Sequence, residues 1–338
     1  MVNAYITNQP GNVVYVVDTA TNTLIATLTA GNGPYGAAVT PDGTKAYVTN
    51  SHDNTVSVID TSTSTVKTGT GYPISVGSQP LGLAVTPDGK HIYVINNSAS
   101  TVSVIDTATD TVSATITGLG TKPLGIDFTP DGTKAYVTNQ SSATVSVIDT
   151  STNTVKTGAG YPVSVGTSPT DVAVNPAGTL GYVTNQTTPG TVSVINTATD
   201  AVSVTISLTS PLTPFTQSDP FGIDITPDGA KAYVAKSSDD SIDVIDTSTN
   251  TVKTGTGYPI RFYAAPLGVA ITPDGSQAYV VGNGNDTVLV INTATDTSST
   301  TITLDSNFGA IGFGKFIQPS SPPIPASYMA LGTSWFGC

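Results

Sequence analysis

Glutamate is absent from this chain, and arginine occurs once, at Arg261. All 23 acidic side chains are therefore aspartates; they face 11 basic residues, for a formal net charge of −12. So acidic a chain repels phosphate backbones and anionic headgroups, which excludes nucleic acid as a partner. Scarce Lys and absent Glu also remove the best surface helix formers, so long helices are not expected. The one cysteine is Cys338, the last residue, which rules out an internal disulfide and a Cys-ligated metal centre. Two histidines, His52 and His91, are too few for transition-metal catalysis. No run of eighteen apolar residues is present, so no membrane-spanning helix is expected. The opening MVNAYITN has no signal-peptide pattern and enters a strand at once. With a surface built from Thr, Ser and Asn, the reading is an exported protein, extracellular or at the cell surface, whose leader has been removed.

What the chain has in abundance is a repeat. The segment TPDGTKAYVTN at Thr40–Asn50 returns from Thr86, Thr129, Asn175, Thr226 and Thr272, and a partial copy, AYITN, lies at Ala4–Asn8. The repeated strand is thus marked seven times, by Tyr5, Tyr47, Tyr93, Tyr136, Tyr182, Tyr233 and Tyr279. Each period holds four short, β-branched runs with apolar residues at every second position, the pattern of half-buried strands. Pro-Asp-Gly sets the first turn: Pro fixes φ, Asp bonds locally and Gly takes a positive φ. Four antiparallel strands in roughly 40–45 residues predict one propeller blade. The chain begins with a blade's second strand, and Phe308–Phe313 matches the missing first strand. The expected fold is all-β: a seven-bladed propeller closed by a C-terminal first strand that completes the N-terminal blade. A longer period overlies the first, since the blades starting near Pro34, Pro123 and Pro220 carry a Gly-Tyr-Pro insert that places Tyr72, Tyr161 and Tyr258 on the outer rim.

The copies of YVTN, VSVID and TPDG resemble the YVTN family of β-propeller repeats, which includes surface-layer proteins. The resemblance spans about residues 4–313 and implies the fold and an exported setting. Function within such rings varies, so activity has to be argued from the site.

Candidate ligand residues are expected where second-to-third-strand loops meet the channel. Asn50, Asn96, Asn139 and Asn185 open these loops, and Lys236 replaces Asn in a later blade; such a row of amides suits a protein or glycan ligand. An architectural role competes, because Asn ends strands by accepting left-handed geometry. His52 and Asp53 follow Asn50, with Asp239 and Asp240 expected near the same face; no positioned nucleophile accompanies them, so acid–base catalysis is not favoured. Phe215, in the Pro-rich Leu208–Asp219 excursion, forms a candidate wall. Inner-strand departures give the one candidate metal set: Asp127 and Asp224 stand where other blades have small or apolar residues, and Asp171 replaces a repeated Gly. Three carboxylates suit a hard cation such as Ca²⁺, unless each pairs with the next blade's backbone N–H groups or a Thr. The function expected is a non-catalytic binding or scaffolding propeller without a cofactor; the alternative is a lactonase- or lyase-like hydrolase using channel-bound Ca²⁺. Residues 1–316 form the propeller, and 317–338 a Pro/Ser-rich linker with an apolar tail containing Trp335 and Cys338. The tail is expected to dock on its own ring, which favours a monomer.

Overall fold

The computed structural model describes residues 2–208, 219–304 and 309–318. Their strands form seven antiparallel sheets, and the chain is a seven-bladed β-propeller. Blade 2 is typical at its start: Pro34–Val39 innermost, then Lys45–Asn50 and Thr55–Asp60. Its first turn forms as the residue types require. Thr40 Oγ1 donates to Asp42 Oδ1 at 2.6 Å, Thr44 N donates to the same oxygen at 3.0 Å, and Gly43 takes φ of 70°. Blade 3 has a full fourth strand, Thr111–Ile116, beyond Pro80–Val85, His91–Asn96 and Thr101–Asp106. In blades 2, 4 and 6 the fourth strand leaves its partner after two residues, at Thr65–Val66, Thr154–Val155 and Thr251–Val252. It returns past the Gly-Tyr-Pro turn as a second two-residue strand on the same neighbour. The insert thus splits the outer strand rather than lengthening it. Among the described residues no helix is long and apolar enough to cross a membrane.

The core lies between blades. Alternate residues of neighbouring middle strands interlock, as where Ile95, Val102 and Val104 of blade 3 meet Ile126, Phe128 and Val137 of blade 4. Each such side chain contributes about 1.5–3 kcal/mol by leaving water.

Blade 1 comprises Asn3–Asn8, Val13–Asp18 and Thr23–Thr29, and the C-terminal segment completes it. Ile311 N donates to Thr7 O at 2.9 Å, Tyr5 N to Phe316 O at 2.8 Å and Gln318 N to Asn3 O at 2.7 Å. Phe308 lies outside the described residues, and the closing segment is not a plain strand. Pairing spans Gly309–Gln318 and is interrupted between Ile311 and Phe316, where the chain turns into the channel. Gly309, Gly312 and Gly314, at φ of 118°, 52° and 85°, supply the left-handed backbone this detour needs.

Six of the seven blade Tyr residues, all but Tyr5, tie their blade to the next through the residue ending the turn between the third and fourth strands. Three interfaces carry an aspartate there. Asp110 of blade 3 accepts from Tyr47 (2.5 Å) and Tyr72 (2.6 Å) and pairs with Lys45 (2.9 Å) and Lys67 (3.0 Å) of blade 2. Asp200 meets Tyr136, Tyr161, Lys134 and Lys156, and Asp296 meets Tyr233, Tyr258, Lys231 and Lys253, in the same way. Elsewhere Tyr93, Tyr182 and Tyr279 donate to Asn153, Asn250 and Asn22. The half-buried tyrosines Tyr72, Tyr161 and Tyr258 thus direct their hydroxyls at an aspartate of the next blade.

Candidate functional site

The amides that open the second-to-third-strand loops are buried. Asn50 Nδ2 donates to Thr55 Oγ1 and Ser57 Oγ, each at 3.0 Å, and its Oδ1 accepts from Gly31 N at 3.1 Å. Asn96, Asn139 and Asn185 make the matching bonds to Ser103, Ser146 and Ser193. The preceding loop lies directly over each amide: a Cβ at Gly77 would sit 2.5 Å from Asn96 Cγ, so glycine is required there. Lys236 fills the Asn position of blade 6 with its side chain wholly buried. Its ammonium lies 3.1 Å from Asp243 Oδ1 and 3.2 Å from Asp239 Oδ2. Asp243 stands where Ser57 stands in blade 2, since both lie opposite the same strand position, Val234 and Val48. A Lys–Asp pair has replaced an Asn–Ser pair. His52 and Asp53 are exposed, and Asp53 caps Asn32, whose N–H donates to it at 2.7 Å and whose Nδ2 donates at 2.8 Å. These bonds lower the Asp53 pKa. Asp240 Oδ1 accepts from Ala265 N at 2.9 Å. Phe215 lies outside the described residues.

The channel brings the other candidates together. At the level of the second residue of the inner strands it is closed by Phe313, packed with Leu81, Leu124 and Ile311. The Phe313 ring lies 5.6 Å from that of Tyr35 and 5.7 Å from that of Phe221. Beyond this plug a cavity of about 360 Å³ opens toward the Pro-Asp-Gly turns. Its walls are apolar, with Phe128, Val174, Ile225 and Ile271 among them, and Pro41, Pro87, Pro130, Pro176 and Pro273 line its turn side. Asp127, Asp224 and Lys315 are its charged groups. The open end is thus opposite to the face on which the Asn loops lie.

Each channel carboxylate bonds the backbone of a following blade. Asp127 Oδ2 accepts from Val174 N at 2.8 Å, and Asp171 Oδ2 from Ile223 N at 3.3 Å. Asp224 Oδ2 accepts from Ile271 N at 2.8 Å, and its Oδ1 from Ile225 N at 2.9 Å. Lys315, carried in by the C-terminal detour, reaches Asp127 Oδ1 at 2.9 Å. Its side chain is 60% accessible because it faces the open cavity. Burial opposes its charge, but Asp127 and Asp224 outweigh that and raise its pKa. Burial pushes Asp171 up to about 8, against the pull of its two backbone bonds and with help from Asp127 and Asp224. Burial also pushes Asp224 up to about 6, although Lys315 and two backbone N–H groups draw it down. Asp127 and Asp224 line the cavity, whereas Asp171 is not among its lining residues. The donor set does not suit Ca²⁺, because the Lys315 ammonium already stands beside Asp127. Sequence reasoning missed Lys315, which lies past the last full repeat, where no repeated position marks it.

Fold and closure define the class of protein: a seven-bladed β-propeller with a channel plugged from one side. A family model described as "Lactonase, 7-bladed beta-propeller" matches residues 13–159, under half of the chain. The PE-PGRS family protein PE_PGRS18 of Mycobacterium tuberculosis (strain ATCC 25618 / H37Rv) is 54% identical over 39 residues, which are 12% of this chain and 8% of that protein. Two solved structures share the fold. A hydrazine synthase chain from Kuenenia stuttgartiensis aligns with a TM-score of 0.73 at 22% identity, over 90% of this chain and 92% of that one. A functionally unknown protein from Desulfotomaculum acetoxidans DSM 771 aligns with a TM-score of 0.73 at 17% identity, over 92% and 99%.

Proposed function

We propose that this protein is an exported, non-catalytic binding propeller that takes a small ligand into the channel from the face of the Pro-Asp-Gly turns. One observation carries this reading: the cavity has a closed inner end, apolar walls and a few converging polar groups, the form of a ligand pocket. Among the described residues no histidine, cysteine or serine lines it. Export is supported by the Thr/Ser/Asn-rich, Glu-free composition and by the likeness to YVTN repeats. The test is calorimetric titration with a fragment library, with Phe128→Trp as a block at the cavity wall. Fragments should bind the parent and not the blocked form; binding unaffected by the block would place the site elsewhere.

A second reading, a lactone hydrolase, is favoured by the family match over residues 13–159 and by the raised pKa of Asp224, which suits a general base near neutral pH. Turnover of γ- or δ-lactones by the purified protein, abolished in Asp224→Asn, would establish it in place of the binding role.

A further inference from the structure

Asp127 and Asp224 occupy the same position two blades apart, each opposite its blade tyrosine, Tyr136 and Tyr233. Each sends Oδ2 to the backbone of the next blade, at 2.8 Å in both cases. They differ in what meets Oδ1, which for Asp224 is the N–H of Ile225. Asp127 has the Lys315 ammonium at 2.9 Å, whereas among the described residues no cation stands within ion-pair distance of Asp224. Asp224 is also the more exposed of the two and lines the cavity. The chain thus supplies one ammonium for two equivalent carboxylates. Lys315 acts on Asp224 only from beyond ion-pair distance, and a carboxylate held between apolar walls without a direct ion pair is costly to keep ionised, so a ligand that brings the charge is bound by what it relieves.

From this inequality we infer that the channel site takes a primary ammonium on an apolar chain, with the ammonium at Asp224 beside Lys315–Asp127 and the chain against Val174, Ile225 and Ile271. The inference rests on the channel being the binding site. A hard inorganic cation fits worse, because it needs six or more oxygens and the Lys315 ammonium already stands beside Asp127. An anion would meet Lys315, but with the carboxylates of Asp127 and Asp224 beside it. The same ammonium chemistry is offered by a free alkylamine and by a lysine side chain on a peptide. Lys315 already satisfies Asp127 in that manner from within the chain.

The experiment is a calorimetric titration of the whole protein with n-pentylammonium, 1-pentanol, pentanoate and Nα-acetyl-lysine methylamide. Pentylammonium or the lysine derivative should bind at least about tenfold more tightly than pentanol, as a charge-assisted contact implies, and pentanoate should bind most weakly. Whichever ammonium binds more tightly identifies the source. Asp224→Asn should erase that advantage while leaving pentanol unchanged. Lys315→Met should strengthen ammonium binding, because it frees Asp127 as a second partner; a merely structural role for Lys315 would weaken every ligand alike. Equal or tighter binding of pentanol or pentanoate overturns the ammonium assignment and leaves the channel as a site. Binding of none of the four overturns the channel site itself.

Discussion

At the rim, Asp110, Asp200 and Asp296 each face two lysines and two tyrosine hydroxyls; in the channel, Asp127, Asp171 and Asp224 have one lysine among them. Both sets are largely withdrawn from water, yet the three rim aspartates are lowered in pKa while Asp171 and Asp224 are raised. Burial works against the rim charges, but the donated hydrogen bonds outweigh it and bring each of the three to about 2. In the channel, burial outweighs the few opposing donors and lifts Asp171 to about 8 and Asp224 to about 6. What separates a structural aspartate from a candidate functional one here is the number of donors that the neighbouring blade supplies, not depth.

The strongest way to break this contrast is to remove a rim carboxylate. Asp200→Ala leaves two lysines and two tyrosines without their acceptor and should cost about 3–5 kcal/mol in urea unfolding followed by circular dichroism. Asn153→Ala, at an interface where one tyrosine hydroxyl meets an amide, should cost about 1 kcal/mol. Equal losses at the two positions would mean that the lysines add nothing.

The pH dependence of stability sharpens it, because the two regions have opposite signs. The rim aspartates have folded pKa values below the unfolded value near 3.8. Their contribution is present above pH 4 and is lost as pH falls through about 2, by about 2 kcal/mol for each cluster. Changing all three to Asn should flatten that acid arm and lower stability at pH 6. Asp171 has a raised folded pKa, so its contribution is complete below pH 4 and is lost as pH rises through about 8. Melting temperatures recorded between pH 4 and 8 should therefore fall more steeply for the parent than for Asp171→Asn. Identical slopes would mean that Asp171 is ionised throughout.

Much of this was legible from the residues. A strand carrying Tyr seven times fixed the blade count, and Pro-Asp-Gly set its turns, because both depend on local chemistry that every copy repeats. The clusters were half legible. The turn after the third strand ends in Asp at Asp110, Asp200 and Asp296 but in Asn at Asn22, Asn153 and Asn250, in step with the Gly-Tyr-Pro inserts. Six of the ten lysines fall at matching positions. What periodicity does not give is which blade a side chain faces, so Tyr72, Tyr161 and Tyr258 read as rim residues although their hydroxyls cross to the next blade. Lys315 and the Phe313 plug were the least legible, because they depend on a detour that three glycines allow and that no other repeat contains.

The smallest expected effect tests whether the tyrosine hydroxyls matter only where an acceptor exists. Tyr47 and Tyr5 are equivalent residues, both wholly buried, each on the second strand of its blade. The Tyr47 hydroxyl donates to Asp110, whereas the Tyr5 hydroxyl reaches no acceptor on the next blade and has only Asn3 of its own strand beside it. The reason lies in the next blade, where the turn residue opposite Tyr5 is Ser64, a shorter side chain than the Asp or Asn found at the other six turns. Tyr47→Phe removes a bond to a charged acceptor and should cost about 1.5–3 kcal/mol. Tyr5→Phe removes a buried polar atom that makes no bond to the next blade, so its effect should lie within about 0.5 kcal/mol of zero, or be stabilising. Paired urea midpoints for the two variants decide the matter. A loss at Tyr5 as large as that at Tyr47 would show that the hydroxyl is held by ordered water or by the neighbouring Asn3, and that blade 1 is tied to blade 2 by a polar contact after all.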